Sequence, residues 1–216
     1  MTITLTAFKW VPPFAQGYVK DLRVRWALEE AGLPYEVTLI DPDIQASSDY
    51  RRVQPFGQVP AFKDDEVEMF ESGAIVLHLA SRSEALAPAD PAGRARVATW
   101  VFAALNSVEP QAQAFIQIGD VDHDDPRATE RRGRAGKALE NRLAALCTWL
   151  DGKDYLEGRF TAGDLMMAMV LRELVDSGAL APFPSLGAYI ERNLARPSFG
   201  RALEAQLRTF RQHEPA

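Results

Sequence analysis

Apolar and polar residues alternate at the start of the chain and predict a strand over residues 3–8, because a strand points successive side chains to opposite faces. A helical spacing then begins at Leu22 and stops at Gly32, a residue that favours helix termination. Residues 35–39 alternate again. A strand, a helix and a second strand in this order predict a βαβ unit with a parallel pair of strands.

Two short apolar runs, residues 61–62 and 67–70, flank the acidic turn 63–66 and predict a β-hairpin. An apolar helical pattern over residues 72–81 follows the hairpin. Between the second strand and the hairpin the chain is polar and irregular, with one short helix predicted over residues 48–53. This first part of the chain therefore has the pattern of a small α/β domain.

The pattern changes after residue 82. Pro88 and Pro91, in a stretch of small residues, predict a linker over residues 83–91, and the strand signal almost disappears beyond it. We therefore predict an α/β domain at residues 1–82 followed by an all-α domain at residues 92–216. A core-facing helix is marked by a leucine stripe with spacings of four, three and four: Leu139, Leu143, Leu146 and Leu150. The other elements predicted here are a long helix bent at Pro110, an acidic loop over residues 120–126, and helices near residues 165–175, 186–194 and 199–207.

Thr161 and Asp164 have the spacing of a helix capping box, in which each side chain accepts a hydrogen bond from the backbone N–H of the other residue. Phe160 and Leu165 occupy the positions of a hydrophobic staple. Loss of such a cap costs about 0.5–2 kcal/mol. We therefore assign Thr161 and Asp164 a structural role and exclude them from catalysis.

The composition excludes several classes of protein. With 216 residues, 47% of them hydrophobic and 25% charged, the chain resembles an ordinary globular protein. A formal net charge of −6 argues against general binding of nucleic acid, which requires a basic face. No apolar run approaches the roughly 18–20 residues of a membrane span, and the N-terminus lacks the pattern of a signal peptide. The single cysteine, Cys147, excludes an internal disulfide framework and fits a reducing cytoplasm.

Sequence motifs for metal or nucleophile chemistry are absent. His78, His123 and His213 lie far apart without ligand spacing, so we expect no metal site. Cys147 belongs to the helix with the leucine stripe, where we expect a buried small apolar residue rather than a nucleophile. The sequence contains no Cys-x-x-Cys pair, Gly-rich phosphate loop or nucleophile elbow.

The segment Gln58-Val59-Pro60 begins a short apolar run, and X-Pro bonds adopt the cis form at a cost of only about 0.5–1 kcal/mol. A cis bond here would turn the backbone N–H and C=O of Val59 outward, where an extended peptide can pair with them. Glu71 and Ser72 follow at a junction between strand and helix, and a helix N-terminus suits a carboxylate. One surface could therefore hold both the backbone and the carboxylate of a small acidic peptide.

These motifs, together with residues 24–36 and the capping box that begins at Thr161, resemble the soluble glutathione transferases. The resemblance covers most of the chain, and it implies a thioredoxin-like N-terminal domain followed by a helical bundle. It also implies a homodimer with glutathione as co-substrate and no metal.

The resemblance assigns roles to five residues. It implies a cis bond before Pro60, with the backbone of Val59 paired with the cysteinyl part of glutathione. It further implies that Glu71 and Ser72 hold the γ-glutamyl carboxylate, and that Gln58 lies near the glycyl end.

Glutathione transfer requires a thiolate, yet a thiol with a pKa near 8.5 is only about 3% ionised at pH 7. A hydroxyl donor or a helix N-terminus lowers the thiol pKa, and members of the family use Tyr, Ser or Cys near the start of the first helix. Counting along the chain puts Tyr18 where many members have Ser or Cys, and Phe8, which cannot donate, where others have Tyr. Tyr18 is therefore the candidate catalytic donor. Lys20 or a backbone N–H is the alternative.

Three further residues are candidates through the same resemblance. Trp10 and Phe14 are expected to shape the loop before the first helix or to line an apolar pocket for the second substrate. Asn106 is a candidate to reach the site of a neighbouring subunit.

The sequence thus predicts a cytoplasmic, homodimeric glutathione transferase. Its expected reaction is attack of the glutathione thiolate on an electrophilic carbon of an apolar small molecule, a detoxification, in the cleft between the two domains. A glutathione-dependent isomerase or peroxidase on the same site is one alternative. A non-catalytic glutathione-binding or regulatory protein is another, because Phe8 and Tyr18 stand where the usual donors are found.

Overall fold

The computed structural model describes residues 2–119 and 126–215. Strand β1 (Thr4–Phe8), helix α1 (Asp21–Ala31) and strand β2 (Glu36–Ile40) form the expected βαβ unit. The two strands are parallel, with Thr4 opposite Glu36 and Phe8 opposite Ile40. A short 3₁₀ turn, Pro13–Ala15, lies in the loop before α1.

The hairpin consists of β3 (Ala61–Lys63) and β4 (Glu68–Phe70), and helix α4 (Ser72–Ala80) follows it. Strand β3 is antiparallel to both β1 and β4, which gives the sheet the order β2-β1-β3-β4. The sheet is therefore mixed, with β2 and β4 at its edges.

Two short helices, α2 (Pro42–Ala46) and α3 (Ser48–Val53), connect β2 to the hairpin. The pattern predicted only α3. Helix α2 begins because the carboxylate of Asp41 accepts a hydrogen bond from the N–H of Ile44 at 3.0 Å and Pro42 occupies the first helical position.

Helix α1 is buried along most of its length. Leu22, Val24, Trp26 and Leu28 are fully buried, and the helix ends at Gly32, whose φ of 67° is left-handed. An alanine at position 32 would have to adopt the same unfavourable φ, which explains why the helix stops at a glycine.

Helix α10 (Pro197–Gln212) packs against α1. The rings of Trp26 and Phe199 meet edge to face with centroids 5.0 Å apart, and the indole N–H of Trp26 donates to the hydroxyl of Ser198 at 3.3 Å. Arg196 forms a salt bridge with Glu30 next to this contact. The last helix thus belongs to the same core as the first.

Contacts divide the chain into two compact units. One contains the residues up to Ala87 together with those from Arg196 onward, and the other contains Pro88–Ala195. The domain boundaries inferred from the sequence, 1–82, 83–91 and 92–216, remain a prediction. They differ from the compact units in the placement of α10, which the packing of Trp26 on Phe199 explains.

The second unit is helical. Its elements are α5 (Pro91–Phe102), a π-helical segment (Ala103–Val108), α6 (Glu109–Gly119), α7 (Pro126–Trp149), α8 (Ala162–Leu171), a 3₁₀ segment (Arg172–Ser177) and α9 (Pro184–Leu194). The π-helical segment ends two residues before Pro110, which has no N–H to donate to the carbonyl of Asn106. The acidic loop predicted near residues 120–126 and His123 lie outside the described residues, apart from Pro126 at the start of α7. A thioredoxin-like part followed by a helical part confirms the predicted fold class.

Helix α8 begins with the capping box. The carboxylate of Asp164 accepts a hydrogen bond from the N–H of Thr161 at 3.0 Å, and the hydroxyl of Thr161 accepts one from the N–H of Gly163 at 3.2 Å. Asp164 also accepts bonds from the N–H of Leu156 at 2.8 Å and the hydroxyl of Tyr189 at 2.9 Å. Burial raises the pKa of Asp164, and the hydrogen bonds from Leu156, Tyr189 and Thr161 partly offset this rise. The capping box thus joins the start of α8 to the segment at Leu156 and to Tyr189 of α9, all within the helical unit.

Cys147 differs from its expected environment. It is half-buried rather than buried, and its sulfur lies 3.1 Å from the hydroxyl oxygen of Ser185. The reason is its position one residue after Leu146, which turns it away from the buried leucine stripe. In the described part of the chain, no helix has the length and apolar character that a bilayer crossing needs.

Candidate functional site

The end of the sheet where β3 begins and β4 ends carries the predicted binding residues. Antiparallel pairing places Ala61 opposite Phe70. Because neighbouring strands lie about 4.8 Å apart, residues 59–60 before β3 and Glu71 after β4 come to the same end of the hairpin. Val59 and Glu71, which are twelve positions apart in the sequence, therefore lie on the same surface.

Val59 presents its main chain at this surface. Its side chain is buried and packs with Ile40 and Tyr50, and its peptide bond to Pro60 is cis, the geometry that the resemblance implied. Neither the N–H nor the C=O of Val59 has a hydrogen-bond partner among the residues that the structure describes. Backbone groups of this kind require partners when they are covered, and an extended peptide supplies both a donor and an acceptor.

Hydrogen bonds on both sides hold the segment around Val59. The hydroxyl of Tyr50 donates to the carbonyl of Gln58 at 2.6 Å, and the hydroxyl of Thr6 accepts from the N–H of Ala61 at 2.7 Å. Burial raises the pKa of Tyr50, so its hydroxyl remains a donor at neutral pH. The side chain of Gln58 is exposed and lies next to this anchored segment.

Glu71 has a strained backbone. It is the only described residue other than glycine with a positive φ, at 74°. Such a conformation costs on the order of 1–3 kcal/mol and is concentrated at functional sites. The side chain of Glu71 is exposed and forms no capping hydrogen bond with α4, so the strain does not serve to cap the helix.

Ser72 is the first residue of α4 and is 8% exposed. The N–H groups of the first turn of a helix have no acceptor within the helix, and the helix dipole gives them partial positive charge. A carboxylate placed beside Ser72 would receive these N–H groups and the serine hydroxyl.

Asp64 holds α4 against the hairpin. Its carboxylate accepts hydrogen bonds from His78 Nε2 and Arg82 Nη1, both at 2.8 Å, and from the N–H groups of Glu66 and Val67 at 2.8 and 2.9 Å. Burial would raise the pKa of Asp64, but the bonds from His78, Glu66 and Val67 and the charge of Arg82 outweigh it and lower the pKa to about 2. The last turn of α4 is thereby fixed relative to the hairpin.

Tyr18 lies in the loop just before α1 and is 38% exposed. Its neighbour Val19 packs against the cluster formed by Ile40, Tyr50 and Val59, which also contacts Phe8. The start of α1 is therefore close to the main chain of Val59. The role of Tyr18 as the donor remains a prediction.

A buried network holds this start of α1. The amide of Gln206 donates to the carboxylate of Asp21 at 2.6 Å and to the carbonyl of Val19 at 3.3 Å, and Arg25 donates to Asp21 at 2.7 Å. Burial raises the pKa of Asp21, while Arg25 and Gln206 act to lower it. Nothing in the sequence pattern indicated this network, because Gln206 lies 185 positions away from Asp21.

The remaining candidates have different environments. Phe14 is 84% exposed. Trp10 lines a cavity beside β1. Lys20 is the residue that precedes α1 and makes no side-chain capping bond with it. Asn106 lies in the π-helical segment of the second unit, and its assignment to a neighbouring subunit's site remains a prediction.

Within the described residues, no three or more His, Cys, Asp or Glu side chains are grouped as metal ligands would be. His78 is instead bonded to Asp64, and His213 Nδ1 donates to the carbonyl of Thr209 at 2.8 Å.

Comparison with known proteins gives consistent matches. A family model described as "Glutathione S-transferase, N-terminal domain" matches residues 5–81. A glutathione S-transferase of Hyoscyamus muticus is 30% identical over 205 residues, which is 85% of this chain and 92% of that protein. A disulfide-bond oxidoreductase of Escherichia coli is 29% identical over 198 residues, covering 83% of this chain and 88% of that protein.

The fold has solved counterparts. The crystal structure of a glutathione transferase from Burkholderia graminis, with two glutathione molecules bound per subunit, has a TM-score of 0.80 at 24% sequence identity. The similarity covers 94% of this chain and 88% of that one. At this identity the likeness establishes the fold alone.

Proposed function

Because the chain belongs to the glutathione S-transferase family, we propose that it binds glutathione at the sheet end formed by Val59, Glu71 and Ser72 and transfers its thiolate. The acceptor would be an electrophilic carbon of a mostly apolar small molecule. Membership of the family confirms the resemblance found in the sequence motifs. The glutathione site and the transfer of the thiolate to an electrophilic carbon are what we propose beyond family membership.

The single observation that carries the proposal is the unpaired main chain of Val59 beside the start of α4. The cysteinyl residue of glutathione would pair with the N–H and C=O of Val59, as an added strand pairs with an open edge. The γ-glutamyl carboxylate would receive the N–H groups and hydroxyl at Ser72. Because two carboxylates repel each other, we assign the side chain of Glu71 to the γ-glutamyl ammonium group rather than to the carboxylate that the resemblance implied. This pairing would give its strained backbone a function.

Activation of the thiol would fall to Tyr18. Lowering a thiol pKa by two units requires about 2.7 kcal/mol of preferential stabilisation of the thiolate. A phenol hydroxyl that donates to the sulfur and the N-terminus of α1 are both sources of such stabilisation. The thiol proton would leave to solvent, the thiolate would attack the carbon, and the leaving group would depart with its bonding electrons.

Two alternatives use the same glutathione site. A glutathione-dependent isomerase or peroxidase is one, and the similarity to a disulfide-bond oxidoreductase favours redox chemistry among these. A non-catalytic glutathione-binding or regulatory protein is the other, and it is favoured by the lack of Ser or Cys at position 18. Under the main proposal the protein works as a homodimer in the cytoplasm and detoxifies electrophiles, with glutathione as co-substrate and no metal.

Two assays distinguish these functions. The purified protein is applied to immobilised glutathione, and glutathione conjugation is followed with chlorodinitrobenzene, whose chloride is displaced by the thiolate. Retention with turnover supports the transferase. Retention without turnover supports the non-catalytic protein, and failure to be retained contradicts glutathione binding altogether.

A further inference from the structure

Two side-chain hydroxyls hold the chain on either side of Val59. The hydroxyl oxygen of Tyr50, on α3, lies 2.6 Å from the carbonyl oxygen of Gln58. The hydroxyl oxygen of Thr6, on β1, lies 2.7 Å from the backbone nitrogen of Ala61. The two hydroxyl oxygens are 3.1 Å apart. Thr6 and Tyr50 therefore form a continuous bridge from one side of Val59 to the other.

The direction of each hydrogen bond follows from the number of protons, because a hydroxyl donates one proton and a backbone carbonyl donates none. The proton of Tyr50 is used on the carbonyl of Gln58, so Thr6 donates in the bond between the two hydroxyls. The oxygen of Thr6 accepts the N–H of Ala61, whose carbonyl lies farther away at 3.4 Å. We call the pair of hydroxyls of Thr6 and Tyr50, bonded in this order, the hydroxyl relay.

The hydroxyl relay replaces the backbone hydrogen bond that would close a turn over residues 58–61. In a closed four-residue turn, the C=O of the first residue accepts the N–H of the fourth. Here these groups belong to Gln58 and Ala61, and each of them is bonded to a hydroxyl instead. Side chains of β1 and α3 thus set the path of the main chain through Val59.

The backbone before Val59 is anchored as well. Gln45 of α2 donates to the carbonyl of Gly57 at 2.7 Å, and the N–H of Gly57 donates to the carbonyl of Gln54 at 2.9 Å. The side chain of Val59 packs with the buried ring of Tyr50. Within the described part of the chain, the N–H and C=O of Val59 itself have no partner. The anchors therefore leave unoccupied the two groups that an extended peptide would use.

We propose that Thr6 and Tyr50 are positioning residues for glutathione, because their hydroxyl relay holds the N–H and C=O of Val59 in the orientation that pairs with the cysteinyl residue. The inference rests on the proposed function, and it adds two residues that act through Val59. Neither residue supplies a charge, so the relay contributes by limiting the motion of the main chain before the ligand binds. A binding segment that is already ordered loses less conformational freedom on binding, which strengthens the affinity.

The test compares variants that each remove one hydroxyl and keep the shape of the side chain. Tyr50→Phe removes the donor to Gln58, and Thr6→Val removes the acceptor for the N–H of Ala61. Thr6→Ser keeps the hydroxyl and is the conservative variant. The matched control is Tyr35→Phe, because Tyr35 is half-buried in the same compact unit and its hydroxyl takes no part in the relay.

Titration calorimetry gives the dissociation constant of glutathione for each variant. Tyr50→Phe and Thr6→Val should each bind glutathione about tenfold more weakly than the parent. Thr6→Ser and Tyr35→Phe should keep the dissociation constant of the parent. Partial unfolding would produce the same tenfold loss only if about a tenth of the protein were folded, because the apparent dissociation constant varies inversely with the folded fraction. Urea unfolding of each variant detects such a loss of folded protein.

A second measurement needs no ligand. In Thr6→Val the N–H of Ala61 loses its hydroxyl acceptor, so its exchange with deuterium in the free protein should be faster than in Thr6→Ser. Faster exchange combined with a tenfold loss of affinity supports the positioning role. Faster exchange with the affinity of the parent would show that the relay only holds the segment, and it would overturn the proposal.

The titrations also separate failure of this proposal from failure of the proposed function. An affinity equal to that of the parent in both Tyr50→Phe and Thr6→Val overturns the positioning role while the glutathione site stands. An equal loss in Tyr35→Phe, or in Thr6→Ser, overturns it as well, because the relay keeps its hydroxyls in these two variants. A parent protein that does not bind glutathione contradicts the proposed function and the positioning role together.

Discussion

The side-chain amide of Gln206 donates a hydrogen bond to the carboxylate of Asp21 at 2.6 Å, although the two residues lie at opposite ends of the chain. Both are buried. The same amide also reaches the carbonyl of Val19, the residue after Tyr18. The last helix therefore fixes the backbone that carries the candidate catalytic hydroxyl.

Replacing Gln206 by Leu should destabilise the protein and disturb this loop. The substitution leaves the carboxylate of Asp21 with one fewer donor inside the core, which costs about 1–3 kcal/mol. Urea unfolding measures the loss. The matched control is Gln212→Leu in the same helix, because Gln212 is exposed and its replacement should change stability by less than about 0.5 kcal/mol. Equal effects of the two substitutions would show that the Gln206 bond contributes nothing specific.

Replacing Tyr18 by Phe should raise the pKa of the bound glutathione thiol. The phenol hydroxyl is the proposed donor to the thiolate, and one hydrogen bond to a charged group contributes about 1.5–3 kcal/mol, or roughly one to two pKa units. Ultraviolet absorbance of the thiolate, followed against pH in the complex, gives this pKa. A thiol pKa equal to that of the parent would remove Tyr18 from the mechanism. Lys20 or a backbone N–H would then be the candidate that stabilises the thiolate.

The carboxylate of Asp64 should make stability depend on pH under acidic conditions. Its pKa of about 2 in the folded protein lies below the ordinary value of 3.8. The contribution is therefore fully present above about pH 4 and is lost as the pH falls towards 2. The difference corresponds to about 2 kcal/mol.

Urea unfolding of the parent and of Asp64→Asn measures this contribution. At about pH 6 the variant should be less stable by about 2 kcal/mol, and the gap should close as the pH approaches 2. Asp65→Asn in the same turn serves as the control because Asp65 is exposed. A gap that stays constant over this pH range would show that the ionised carboxylate of Asp64 is not its source.

The backbone of Glu71 provides a further test. Glycine adopts a positive φ freely, whereas alanine does not. The φ of 74° therefore predicts that Glu71→Gly is more stable than Glu71→Ala, by about 1 kcal/mol after the entropy cost of glycine is subtracted. Thermal unfolding of the two variants gives the comparison. Greater stability of the alanine variant would mean that position 71 is not strained in solution.

Local patterns predicted the elements of the α/β part because each reflects a local cause. The alternation over β1, the stop at Gly32 and the acidic turn before β4 depend on residues close in sequence. The capping box at Thr161 is likewise local. Helix α2 was missed because its start depends on one aspartate followed by a proline, a signal too short to distinguish from a turn.

Features that join distant residues could not be predicted. The cavity beside β1 combines Trp10 with His213, and the Gln206–Asp21 bond joins the last helix to the first. No spacing in the sequence encodes either contact, because both depend on how α10 returns to α1. The place of Glu71 between strand and helix predicts a glutathione contact, but its backbone conformation has no sequence signal, since positive φ is typical of glycine.

The most direct test of the proposed glutathione site is calorimetric titration of glutathione into the parent and Glu71→Ala, with Glu68→Ala as the control. Glu68 lies three residues earlier, on β4, and pairs with Lys63 at 3.1 Å, so its loss should leave affinity unchanged. Glu71→Ala should bind glutathione more weakly than the parent by about 2–3 kcal/mol, roughly 30- to 150-fold. A loss below about 0.5 kcal/mol, or an equal loss in Glu68→Ala, would contradict it.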